Sequence, residues 1–134
     1  MPMAIAYFCV LLVALLPYLW TAIAKGSGDR FGSFDNRDPR AWQAQQSNPR
    51  SQRAYAAHLN GFEAFPAFAA AVLMAQIAQV APATIAALAL VVAGARILHG
   101  LFYVAGLASL RSLIWLIGAL PVWALMVLAA LRYL

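Results

Sequence analysis

Arg53-Ala54-Tyr55-Ala56-Ala57-His58-Leu59-Asn60-Gly61-Phe62-Glu63-Ala64-Phe65-Pro66 carries a cation, an amide and the chain's only glutamate into an apolar run uncharged as far as Ala95. An acid entering a hydrophobic helix is costly, so it needs a partner and a purpose. The run is also too long for one membrane span, which takes about 20 apolar residues. Ala81-Pro82 breaks it into parts of two helices. Two further charge-free runs, Met3 to Ala24 and Ser112 to Leu131, supply one span each.

Composition agrees with that count. The 134 residues are 65% hydrophobic and 10% charged, more apolar side chain than a water-soluble domain of this size can hide. The expected fold is all-α: one integral membrane domain over residues 1–134, an antiparallel four-helix bundle. Its helices are expected at about 3–24, 49–79, 82–104 and 109–133, with a polar loop at about 25–48. The first run lacks a basic leader and exceeds a signal-peptide core, so it reads as a retained helix with Tyr18 and Trp20 as interfacial anchors.

The net charge of +5 does not point to nucleic acid. Lys25, Arg30, Arg37, Arg40, Arg50 and Arg53 flank spans, where basic residues set topology and meet lipid headgroups. The positive-inside tendency puts the basic loop in the cytoplasm and both termini on the far side. A single cysteine, Cys9, excludes an intrachain disulfide and reads as a small packing residue. Two separated histidines and one glutamate form no metal signature.

Within the long loop, Asp38-Pro39 marks a turn or short helix start, and Trp42 is expected to dip inward. Asn48-Pro49 is an N-cap followed by proline at the first helical position. The loop reads either as a lid or docking surface or as a solvated connection. At the other end, Ser109 is a candidate cap for the last helix.

Helical arithmetic supplies the glutamate's partner. At about 100° per residue, Asn60 lies about 20° and Glu63 about 80° from Arg53. Arg96, His99 and Tyr103 likewise share one face of the next helix. At about 1.5 Å per residue, Glu63 sits about 15 Å in from Arg53, and Arg96 about 12 Å in from Val104. Glu63 and Arg96 therefore meet at similar depth. With Arg53 and Arg111 nearby, the set reads either as glue for the bundle or as a pocket for an anion. His58 lies about 140° round the helix from Arg53 and by position reads as an interfacial or packing histidine. Trp115, one turn beyond Arg111, reads as core or lipid contact.

Taken together, Arg53-x4-His58-x-Asn60-x2-Glu63-x2-Pro66, Arg96-x2-His99-x3-Tyr103 and Arg111 resemble the MAPEG family, the membrane-associated proteins of eicosanoid and glutathione metabolism. Asn36-Arg37-Asp38-Pro39-Arg40 and Asn48-Pro49-Arg50 are similar to the loop of its bacterial branch. The resemblance implies a homotrimer in a bacterial inner membrane, with glutathione as co-substrate held between neighbouring subunits. It implies a glutathione S-transferase or glutathione-dependent peroxidase acting on lipophilic small molecules. Arg53, His58, Asn60, Glu63, Arg96, His99 and Tyr103 would then line the glutathione site, and Arg111 would be catalytic, stabilising the thiolate.

The chain departs from glutathione-using members in having Ala56 and Leu59 where they place arginines, and Trp115 in place of a tyrosine. Two other readings use the same bundle. One is a non-catalytic protein that binds membrane lipids or acts as a scaffold. The other is a small multidrug-type transporter, disfavoured by the long charged loop and by a glutamate with a cationic partner.

Overall fold

The computed structural model describes residues 1–30 and 32–134 and is all-helical over them. Helix α1 runs Pro2–Gly26, α2 Pro39–Ala44, α3 Pro49–Ile77, α4 Pro82–Ala105 and α5 Ala108–Leu131. Helices α3 and α4 form the central pair, and α1 and α5 each pack on both of them.

Local chemistry sets the helix ends. Asp38 accepts from the Ala41 amide at 3.1 Å and Asn48 from the Arg50 amide at 2.9 Å, each followed by a proline that needs no partner for a missing N–H. Between α3 and α4 the chain turns through Gln79, a non-glycine residue at φ 55. Between α4 and α5, Gly106 takes φ 78 and sends its N–H back to the Tyr103 carbonyl. That left-handed turn is so tight that α5 starts at Ala108, with Leu107 as its uncapped N-cap, and Ser109 does not cap it.

The helices approach closely where side chains are small. The core toward the termini joins Val13 of α1, Phe68, Ala71 and Val72 of α3, Ile85, Ala89 and Val92 of α4, and Leu125 of α5. Cys9 is buried there as a packing residue, and at that end the Tyr7 hydroxyl donates to the Gln76 side chain. Toward the loop the core changes to Leu16, Trp20 and Ala57, with Ile97, Tyr103 and Val104 against them. Trp20 is thus a core residue, 3% exposed, rather than an interfacial anchor. Its indole fills the space left by Gly100, as the Pro17 ring does at Gly61. Tyr18 stays exposed.

Helices α1, α4 and α5 are each long and apolar enough to cross a membrane. Helix α3 has 29 residues but a more polar make-up, because Arg50, Ser51, Gln52, Arg53, His58, Asn60 and Glu63 all fall in its first half. Length qualifies it; composition does not.

The long loop is pinned at both ends. The Asp29 carboxylate accepts from the Ser47 and Asn48 amides, at 2.8 and 2.7 Å, and from the Ser47 hydroxyl. The buried Gln46 accepts from the Asp29 amide and donates to the Trp42 carbonyl. Ser51, fully buried, donates to the Ala24 carbonyl and accepts from Gln43. Trp42 lies inward, 8% exposed.

The Ser47 amide chiefly, opposed by partial desolvation and reinforced by the Asn48 amide and the Ser47 hydroxyl, holds the Asp29 carboxyl below its usual range. A depressed folded-state pKa contributes stability that is present above the unfolded value, about 3.9. That contribution is lost as pH falls through the folded-state value. Asp29→Ala is therefore expected to speed tryptic cleavage at Arg37 and Arg40 several-fold at pH 7. Amide exchange at Ser47 and Asn48 should show the same gain in wild type once Asp29 is protonated. Unchanged cleavage in the variant would mean that the clamp does not order the loop.

Candidate functional site

The polar residues of α3 and α4 separate into two groups joined by a seam along α4. The deeper group is Asn60, Glu63 and Arg96. Arg96 is 8% exposed, and its Nη2 donates to the Asn60 Oδ1 at 3.0 Å. The Asn60 Nδ2 in turn donates to a Glu63 carboxylate oxygen at 3.4 Å, a long bond. The two charges expected to pair are thus at one level but bridged by the amide between them. All three line a cleft of about 260 Å³ between α3, α4 and α5, with Val13 of α1 reaching in. Glu63 itself remains exposed.

The seam continues one helical turn at a time toward the α4–α5 connection. His99 is 3% exposed, with a buried Nδ1 that has no hydrogen-bond partner among the described residues. Tyr103 meets it edge to face, ring centroids 5.5 Å apart. The Arg111 guanidinium lies over the Tyr103 ring, 4.4 Å from its centroid. Arg53 ends the seam: its Nε donates to the Val104 carbonyl at 3.1 Å, and its guanidinium lies against Gly106. It closes the C-terminus of α4, where a cation satisfies an orphan carbonyl and the negative end of the helix dipole.

This geometry alters the charge account drawn from the sequence. Arg53 and Arg111 do not line the cleft, so within one chain the cleft holds one acid and one cation and is close to neutral. His58 is on the other side of α3. Its Nδ1 lies 2.9 Å from the Pro17 carbonyl, which can only accept, so Nδ1 carries the proton. His58 stacks with Tyr55 and lines a smaller hollow, about 160 Å³, with Thr21, Lys25, Phe34, Arg40 and Gln43. No carboxylate among the described residues faces that hollow. His58 therefore does not join Asn60, Glu63 and Arg96 within one chain.

A sequence model described as the MAPEG family matches residues 5–131. The chain belongs to the MAPEG family. A comparison with curated proteins finds no match. As a MAPEG protein with three helices apolar enough to span a bilayer, it is an integral membrane protein.

The cleft in this MAPEG chain also takes in Trp115, which from the sequence reads as core or lipid contact, together with Trp123 and small residues that the sequence does not single out. Trp115 and Trp123 of α5 form one wall, with ring centroids 6.4 Å apart and planes at 75°. Opposite them are Ala64 and Ala67 of α3, and Gly118 and Ala119 line the stretch of α5 between the tryptophans. The legible signal is the small pair Gly118-Ala119 inside the bulky run from Leu113 to Trp123, which marks where helices leave or close a gap.

Proposed function

We propose that this MAPEG protein is a glutathione-binding membrane enzyme, a transferase or peroxidase for lipophilic electrophiles. The reading is carried by Glu63: its carboxylate is exposed on the single chain at apolar depth, held by one long bond from Asn60 and separated from Arg96. A carboxylate in that position calls for a partner, and a ligand or a neighbouring subunit can supply one. A tripeptide with one amine and two carboxylates offers a cation for Glu63 and anions for the arginines.

Helix α3 is the fourth span in this reading. At about 1.5 Å per residue it is about 43 Å long, against a hydrocarbon core of about 30 Å. Its polar half faces α4, α1 and the loop. The chain is then one four-helix membrane domain. Its basic loop lies on the cytoplasmic side of a bacterial inner membrane, with the termini opposite.

The position of His58 favours an assembly. If His58 and Asn60–Glu63–Arg96 both contact glutathione, opposite faces of α3 must serve one site, and only two subunits can arrange that. In a homotrimer the neutral cleft of one subunit would face the hollow of the next, whose Lys25 and Arg40 supply the missing positive charge. Arg111 and Tyr103 at the seam's outer end would hold the thiol. A nearby guanidinium lowers a thiol pKa, so the proton leaves to solvent and the thiolate persists. The thiolate sulfur then forms a bond to the electrophilic carbon, and a halide departs or an epoxide oxygen opens and takes up a proton.

Glutathione at millimolar concentration is expected to raise the melting temperature of detergent-solubilised protein. Arg111→Ala should lower turnover of 1-chloro-2,4-dinitrobenzene by about 10²-fold or more while leaving that shift in place. Absence of any shift at millimolar glutathione would overturn the proposal.

A further inference from the structure

The smaller hollow is lined by the chain's only lysine, Lys25. Its ammonium, in the last turn of α1, lies over the Phe34 ring, 4.1 Å from the centroid and well within cation–π range. Phe34 in turn meets the buried Trp42 edge to face, ring centroids 5.2 Å apart. Trp42 is tied into the loop through Gln46, which donates to the Trp42 carbonyl and accepts from the Asp29 amide. A chain of contacts therefore runs from the pinned ends of the loop to one positive charge on the wall of the hollow.

A lysine at the end of a helix is a poorly fixed charge. Its four-carbon stem has many rotamers, and holding it still for a ligand costs binding free energy. A ring face against the ammonium meets that cost in the folded protein, before any ligand arrives. The ring also leaves the charge available. An ammonium has three N–H donors, and those turned away from the ring stay free for an acceptor in the hollow. A carboxylate partner would hold the lysine as well but would neutralise it; no carboxylate among the described residues lines the hollow.

We propose that Phe34 is a positioning residue: it holds the Lys25 ammonium ready for a carboxylate of the ligand, and through Trp42 and Gln46 the order of the loop sets the affinity of the site. The loop is then the support of a ligand-binding charge. The contact stands on the geometry alone. That the carboxylate belongs to glutathione rests on the function proposed above.

The test exploits the single lysine. Reductive methylation with isotope-labelled formaldehyde marks Lys25 and the N-terminal amine of the full chain in micelles and keeps both charges. The Lys25 methyl signal is expected to carry an upfield ring-current shift, with the N-terminal signal as internal reference. Phe34→Leu should remove that shift, and Phe34→Tyr, which keeps an aromatic face, should retain it. Glutathione affinity, read from melting shifts of unlabelled protein, should fall about two- to five-fold in Phe34→Leu, as expected for an exposed cation–π contact. It should be unchanged in Phe34→Tyr, and Phe34→Leu should have no further effect in a Lys25→Met background. Turnover of Phe34→Leu at saturating glutathione should equal that of wild type. An unshifted Lys25 signal in wild type would overturn the proposal whether or not glutathione binds. Equal loss of affinity in both backgrounds would make Phe34 a plain wall of the hollow, and tighter binding by Phe34→Leu would make it a competitor for the ammonium; either result overturns the proposal while leaving the enzyme. A shifted lysine signal in a protein that shows no melting shift with glutathione would overturn the enzyme and the positioning role together.

Discussion

Arg96→Met is expected to be the most damaging polar substitution in the chain, lowering stability by about 3–5 kcal/mol, as for removal of one partner from a buried charged set. Arg96 is 8% exposed and donates to Asn60, which in turn donates to Glu63. Its loss leaves an amide oxygen without its donor and, among the described residues, the cleft's carboxylate without the one cation that lines the cleft with it, at a depth where water is scarce. The methionine chain replaces most of the volume, so the cost is electrostatic rather than a cavity. Adding Glu63→Gln should recover about 1–2 kcal/mol, because a neutral amide tolerates apolar surroundings better than an uncompensated carboxylate. Unfolding of wild type, both single variants and the double variant in mixed micelles closes the cycle. Coupling near zero would mean that Glu63 and Arg96 are energetically independent, and the bridged arrangement would lose its significance. The same series followed by oligomer mass also tests the trimer, since Glu63 is exposed on the isolated chain.

Period and punctuation in the sequence are enough to read an all-helical membrane chain. Prolines at helix starts, Asn48 as a cap and the charge-free runs are local signals, each acting through groups a few residues away. The common depth of Glu63 and Arg96 also follows, because helical rise is fixed and the α3–α4 turn is short. What does not follow are quantities that depend on side-chain direction. Angular arithmetic puts Arg53 on the face of Asn60 and Glu63. The free carbonyl at Val104 draws its guanidinium to the end of α4 instead. Trp20 reads as an anchor from its place near the end of an apolar run, yet Gly100, remote in sequence, opens the space that buries it. The same arithmetic places His58 away from the Arg53 face, whereas transfer by family position groups it with Asn60 and Glu63. Within one chain the helical angle prevails, because a side chain on the far face of α3 does not reach the cleft on the near one.

Gly100→Ala is expected to destabilise the bundle by about 1–3 kcal/mol, the range for overpacking a well-packed core. A Cβ at this position would overlap the Trp20 indole. The ring has nowhere to go: it is 3% exposed and enclosed with Leu16 and Ala57. Helix propensity alone predicts the opposite sign, since alanine favours a helix over glycine by about 1 kcal/mol. Gly94, on the same helix with nothing within 4 Å of its would-be Cβ, isolates that term. Gly94→Ala should be neutral or stabilising by up to about 1 kcal/mol, so one chemical change made less than two turns apart should act in opposite directions. The double variant Gly100→Ala/Trp20→Phe should regain part of the loss, because the smaller ring vacates the contested space. Should Gly100→Ala melt at or above the wild-type temperature, α1 and α4 would not be held in contact at this crossing.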